Sequence, residues 1–165
     1  MTATKTRDRR KLRFSDVAEL RAEIDRLLAV DRTHTLVQLG NWTPGQIFGH
    51  LASWINYGYE GFPMGPPPFF IRWILRRRVR KYLRTGMPAG IHIPGTKEGT
   101  FGTEVLSIDE GRTRLTRALD RLERGDIPQY DSPAFGPMSV HDRIQLNLRH
   151  AELHLGFLLP KLPTA

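Results

Sequence analysis

Four stretches of the chain repeat apolar residues at helical spacing. Val17, Leu20, Ile24, Leu27 and Leu28 share one face of a helix predicted over 15–30, with acids and bases on the other face. Ile47, His50, Leu51 and Trp54 do the same over 43–58, and Leu115, Ala118, Leu119 and Leu122 over 107–124. Leu146, Leu153 and Phe157 mark a last helix over 139–159, stopped by Pro160. The start signals agree with these spans. Ser15 stands as a cap before Asp16, and Ser139 before the last helix. Thr43-Pro44-Gly45-Gln46 and Ser107-Ile108-Asp109-Glu110 read as capping boxes, the first with proline at the opening helical position. Gly125 closes the third helix.

A fifth helical stretch, 69–84, has a different texture. Phe69, Phe70, Trp73 and Ile74 alternate with Arg72, Arg76, Arg77, Arg78, Arg80, Lys81 and Arg84. The simplest expectation packs its aromatic residues on the other helices and leaves its cations in water. The connections are Asp31–Asn41, Gly58–Pro68, a glycine-rich stretch over 85–106 with a brief extended piece at Ile91-His92-Ile93, and the proline-broken segment Asp126–Pro137. This layout predicts an all-α fold: a four-helix bundle with a long crossover that carries an inserted basic helix. The whole chain, 1–165, reads as one domain with a mobile basic arm at 1–13.

Composition narrows the chemistry. Hydrophobic residues make up 39%, which is enough for a core, and cysteine is absent. That excludes disulfides, thiolate metal sites and a cysteine nucleophile. No run of about 18 apolar residues marks a membrane span. The start lacks the apolar segment of a secretory signal, so a cytoplasmic location is expected. The formal net charge of +8 is concentrated in Lys5–Arg13 and Arg72–Arg84. It permits binding to nucleic acid, an anionic lipid surface or an acidic partner without demanding any of them. The aromatic loop over 59–70 is a possible homodimer contact.

The residues that carry chemistry are histidines. His150 and His154 stand four residues apart, about 40° apart around a helix and one turn apart in height, so they share a face. That face also holds Leu146 and Leu153, whereas Arg149 and Glu152 point away from it. His50 sits among core positions of the second helix. Three inward imidazoles could converge on one cation and leave a coordination position open, the pattern of a catalytic site. Neutral imidazole suits zinc, nickel, iron or copper better than magnesium or calcium. The other reading is that they are ordinary polar residues satisfied inside a core. His141 is out of phase with His150, and His34 and His92 fall in connections.

The segment Gly40-Asn41-Trp42-Thr43-Pro44-Gly45-Gln46-Ile47-Phe48-Gly49-His50-Leu51-Ala52 resembles the second-helix motif of the DinB-like superfamily, and more narrowly a branch catalogued as a domain of unknown function. Arg9–Phe14, Pro133-Ala134-Phe135-Gly136 and Arg149-His150-Ala151-Glu152-Leu153-His154-Leu155 are similar to that branch in the same order. The resemblance implies a bundle that holds a divalent metal through His50, His150 and His154. It also implies kinship with thiol-dependent transferases and isomerases that use mycothiol or bacillithiol, where the metal activates a low-molecular-weight thiol. One departure is Leu153, where the branch often has a further histidine.

Two functions compete. The first is a metal-dependent transferase or hydrolase acting on a small-molecule substrate, with zinc or nickel as the metal and no general base evident. The second is a non-enzymatic binding module that docks its basic helix, 69–84, on nucleic acid or a membrane surface. A third use of those arginines would be to line the mouth of the histidine site and draw in an anionic substrate.

Overall fold

The computed structural model describes residues 8–94, 96 and 98–160. Its described part is mostly helical: five helices and one small two-stranded sheet. Helix α1 spans Val17–Arg32 and is capped by Asp16, whose carboxylate accepts from the Glu19 amide at 2.9 Å. Ser15, expected as the cap, instead donates its backbone N–H to Glu19 at 2.8 Å. The carboxylate one residue later takes the cap because it is the better acceptor at the positive end of the helix.

Helix α2, Pro44–Glu60, starts at the Thr43/Gln46 capping box. Helix α3 spans Phe69–Thr85, α4 spans Ile108–Glu123 behind the Ser107/Glu110 box, and α5 spans Val140–Leu155 behind Ser139. The core comes from α1, α2, α4 and α5, with Leu20, Leu27, Phe48, Leu115, Leu119, Leu148 and Leu155 almost wholly buried. Burial of each such side chain contributes about 1.5–3 kcal/mol. Helix α3 buries only Tyr82 fully. No helix of the described residues is long and apolar enough to cross a membrane.

The last helix ends at Leu155, four residues short of the expected 159. Beyond it, Leu158–Pro160 forms strand β2, antiparallel to β1 at Leu36–Gln38, with Val37 opposite Leu159. The backbone amide of Leu39 also donates to the Phe157 carbonyl at 2.9 Å. Pairing with the connection after α1 therefore takes the chain out of the helix before Pro160 can stop it. Ile91-His92-Ile93 forms no strand; the Ile93 amide donates to Gly99 at 2.7 Å and its carbonyl accepts from the Thr96 amide at 3.3 Å.

Of the basic arm, residues 1–7 lie outside the described residues, and within 8–13 Arg10 and Arg13 make hydrogen bonds to the rest of the chain. The Arg10 amide donates to Gly156, and its guanidinium reaches Leu158 O at 2.7 Å, Leu155 O at 3.2 Å and Glu23 at 2.6 Å. Carbonyls freed at the end of α5 attract a cation, which holds the arm there.

On α3 the expected packing of aromatic residues is reversed. Phe69, Phe70 and Trp73 are 85%, 55% and 54% exposed. The inward positions are taken by Arg72, Leu75, Val79, Tyr82 and Leu83, which fall on the other side of the helix.

Candidate metal centre

Close packing of α2 on the start of α4 prepares the site. A side chain at Gly45 would strike the backbone of Leu106 and Ser107, and one at Gly111 would strike the Gly45 carbonyl. This contact draws the segment before α4 across α2 and sets the Phe101 carbonyl against His50. Gly102 follows with φ of 70°, and a Cβ there would run into Ser53, so the turn that aims this carbonyl calls for glycine.

The His50 Nδ1–H donates to Phe101 O at 2.9 Å. Trp54 Nε1–H donates to the same oxygen at 3.3 Å. A carbonyl only accepts, so neutral His50 carries its proton on Nδ1 and presents a lone pair at Nε2. Outer hydrogen bonds of this kind orient histidines that ligate metals.

That Nε2 lies 3.2 Å from Nε2 of His150 on α5. One ring nitrogen from each of His50, His150 and His154 lies within 4.8 Å of the others, so the three could hold a metal ion. Two nitrogens bound tetrahedrally to zinc at ~2.0–2.1 Å stand ~3.3 Å apart, which the His50–His150 spacing matches. Trp42 stacks on His154, with ring centroids 5.4 Å apart and planes 6° from parallel. It also meets His50 edge-on at 4.8 Å.

Burial lowers the His50 pKa from its ordinary 6.5 to about 4. Burial first, then the neighbouring histidines, holds His150 well below the usual imidazole range. His154 is lowered in the same direction by burial, His50 and Arg9. All three are neutral at pH 7, the state a metal requires of them.

The histidines open on a cavity of about 1320 Å³. Its wall is chiefly apolar near the site, with Trp54, Phe62, Phe101, Leu153 and Phe157. From α3 come Ile71, Leu75 and Tyr82 and none of the arginines, so the α3 cations do not line the mouth as considered from the sequence. Among the described residues Arg143 is the lysine-or-arginine cation on that wall, and it pairs with Asp131 at 3.2 Å.

The other histidines stay apart. His34 is exposed at φ 55°, and His141 is exposed beside Asp142. His92 lies on the cavity wall outside the cluster. Arg149 and Glu152 do point away from the histidines, but into protein rather than water. Arg149 is 1% exposed and Glu152 7%. Glu152 accepts from the Phe14 amide at 2.6 Å, Arg149 donates to the Phe14 carbonyl, and the two side chains pair at 3.1 Å.

Helical spacing alone does not reveal the Phe101 carbonyl or the stacking of Trp42. The carbonyl belongs to an irregular loop, with Gly102 as its one local signal. Trp42 stands just before the Thr43 cap, where an apolar residue commonly folds back on its own helix.

No curated protein and no solved structure matches the chain. A family model, described as protein of unknown function (DUF1569), matches residues 6–161, and the chain belongs to that family.

Proposed function

We propose that His50, His150 and His154 hold a divalent transition metal, zinc or nickel, and that the centre serves a transferase or hydrolase acting on a small molecule. The observation that carries this reading is the convergence of three neutral imidazoles at the wall of a cavity, with the Phe101 carbonyl leaving the His50 Nε2 lone pair free to ligate. The helices, in this proposal, form a DinB-like four-helix bundle of α1, α2, α4 and α5 in a single cytoplasmic domain, with α3 as the insertion in the crossover.

When bound, the metal supplies Lewis-acid chemistry, lowering the pKa of a thiol or water that it coordinates. Because cysteine is absent from the chain, any thiol comes from a low-molecular-weight cofactor or the substrate. The protein's own residues orient the ligands and exclude water. Phe101 O fixes the His50 tautomer, Trp42 restrains the His154 ring, and Trp54 covers the second side of His50. The aromatic wall favours a substrate with a substantial apolar part.

Calorimetric titration of chelator-treated protein with zinc or nickel tests this. Binding of one ion per chain is expected, lost in His50→Ala and in His154→Ala. No heat of binding, or equal binding by both variants, would refute the site.

A further inference from the structure

The outward face of α3 carries two properties in sequence along its axis. Its first turn and a half exposes Phe69, Phe70, Trp73 and Ile74, at 85%, 55%, 54% and 44% of their full accessible surface. Its remaining turns expose Arg77, Arg78, Arg80, Lys81 and Arg84 toward the same side. The helix contains no acidic residue. Among the described residues, none of its cations lies within 4 Å of a carboxylate, although arginines elsewhere are extensively paired. Arg77 instead covers the Trp73 ring at 3.6 Å.

We propose that this face docks on an anionic phospholipid surface. The aromatic end enters the boundary between headgroups and acyl chains, and the cationic turns lie along the lipid phosphates. Exposed aromatic and aliphatic side chains on a folded surface carry a cost in water that the bilayer removes. Phosphates supply the counter-charge that the helix itself lacks; of its cations, Arg80 and Arg84 also border a groove that holds Glu19 and Asp142. Nucleic acid satisfies the arginines but gives Ile74 and Phe70 no apolar environment. A second copy of the chain brings more cations and no acids from this helix to meet them. The inner side of the same helix, through Ile71, Leu75 and Tyr82, forms part of the histidine cavity wall, so docking sets that wall against the lipid. The proposal stands whether or not the histidines hold a metal.

The test is sedimentation of the full chain with phosphatidylcholine vesicles, with and without phosphatidylglycerol. Binding is expected only with the anionic lipid, and it should weaken with salt. Arg77→Gln, Lys81→Gln and Arg84→Gln together remove three exposed cations. At roughly fivefold each, they should weaken binding on the order of a hundredfold. Phe69→Ser with Trp73→Ser should also release the protein at low salt, which a purely electrostatic contact would not do. These positions are exposed, so thermal unfolding monitors that each variant stays folded. Equal sedimentation with both vesicle types, or anionic binding unchanged by both variants, would overturn the proposal. So would displacement from vesicles by duplex DNA with the apolar substitutions neutral, or a concentration-dependent dimer that the same substitutions dissociate.

Discussion

Helix α5 carries two polar groups on nearly opposite sides, Arg149 with Glu152 buried and His150 with His154 half-buried, and they are completed in different ways. On one side, Arg149 and Glu152 neutralise each other and bond both backbone groups of Phe14. On the other, His150 faces His50 nitrogen to nitrogen, and the His154 ring has aromatic neighbours but no hydrogen-bond partner among the described residues. The protein supplies charge and backbone partners for the first set, although Arg149 Nε has no hydrogen-bond partner among the described residues, and leaves ring nitrogens converging in the second. A closed buried network fixes structure, whereas an open set of neutral donors beside a cavity is suited to an outside partner.

The largest expected effect breaks the closed side. Glu152→Ala leaves the Arg149 charge buried beside an unpaired Phe14 amide and should cost about 3–5 kcal/mol in denaturant unfolding. Metal binding by the fraction that remains folded should persist. If the variant unfolds normally but binds no metal, the two sides of α5 are not separable.

Acid should act on the open side. In the metal-free protein His50 titrates near 4, below the ordinary 6.5 that it regains on unfolding. Between those values the unfolded chain binds more protons, so stability falls as pH drops from about 6.5 towards 4. The loss for His50 alone is on the order of 3 kcal/mol, and His150 and His154 add to it in the same direction. Unfolding free energies measured across that window check the slope. A flat profile would contradict burial of the neutral rings.

Metal should add stability on top of that slope, because it too requires the rings unprotonated. Zinc or nickel at a hundred times its dissociation constant should raise the unfolding free energy by about 2.7 kcal/mol at pH 7. The gain should vanish in His154→Ala and remain in His141→Ala, whose ring is exposed and outside the cluster. The smallest effect concerns orientation. Trp54→Phe removes the indole N–H from Phe101 O and should cost about 1 kcal/mol, with a modest loss of metal affinity.

The helices were legible because their apolar spacing and caps are local. Thr43/Gln46, Ser107/Glu110 and Ser139 all act where the sequence puts them. The histidine cluster was legible for the same reason, since each ring lies on the inward face of its own helix. What stayed hidden depends on distant partners. A three-residue strand such as Leu36–Gln38 is too short to show alternation, and its partner lies at the far end of the chain. That Arg149 and Glu152, pointing away from the histidines, are buried stayed hidden because nothing in α5 shows that Phe14 covers them. The aromatic residues of α3 looked buried by type, yet the helix turns Leu75, Val79 and Tyr82 inward and leaves Phe69 and Trp73 outside.

The most direct measurement is the metal content of the protein purified without chelator, read by elemental analysis beside a His150→Ala control. One zinc or nickel per chain in the parent and none in the variant is the expected result. A metal-free parent whose melting temperature does not change on adding either ion would contradict the metal centre.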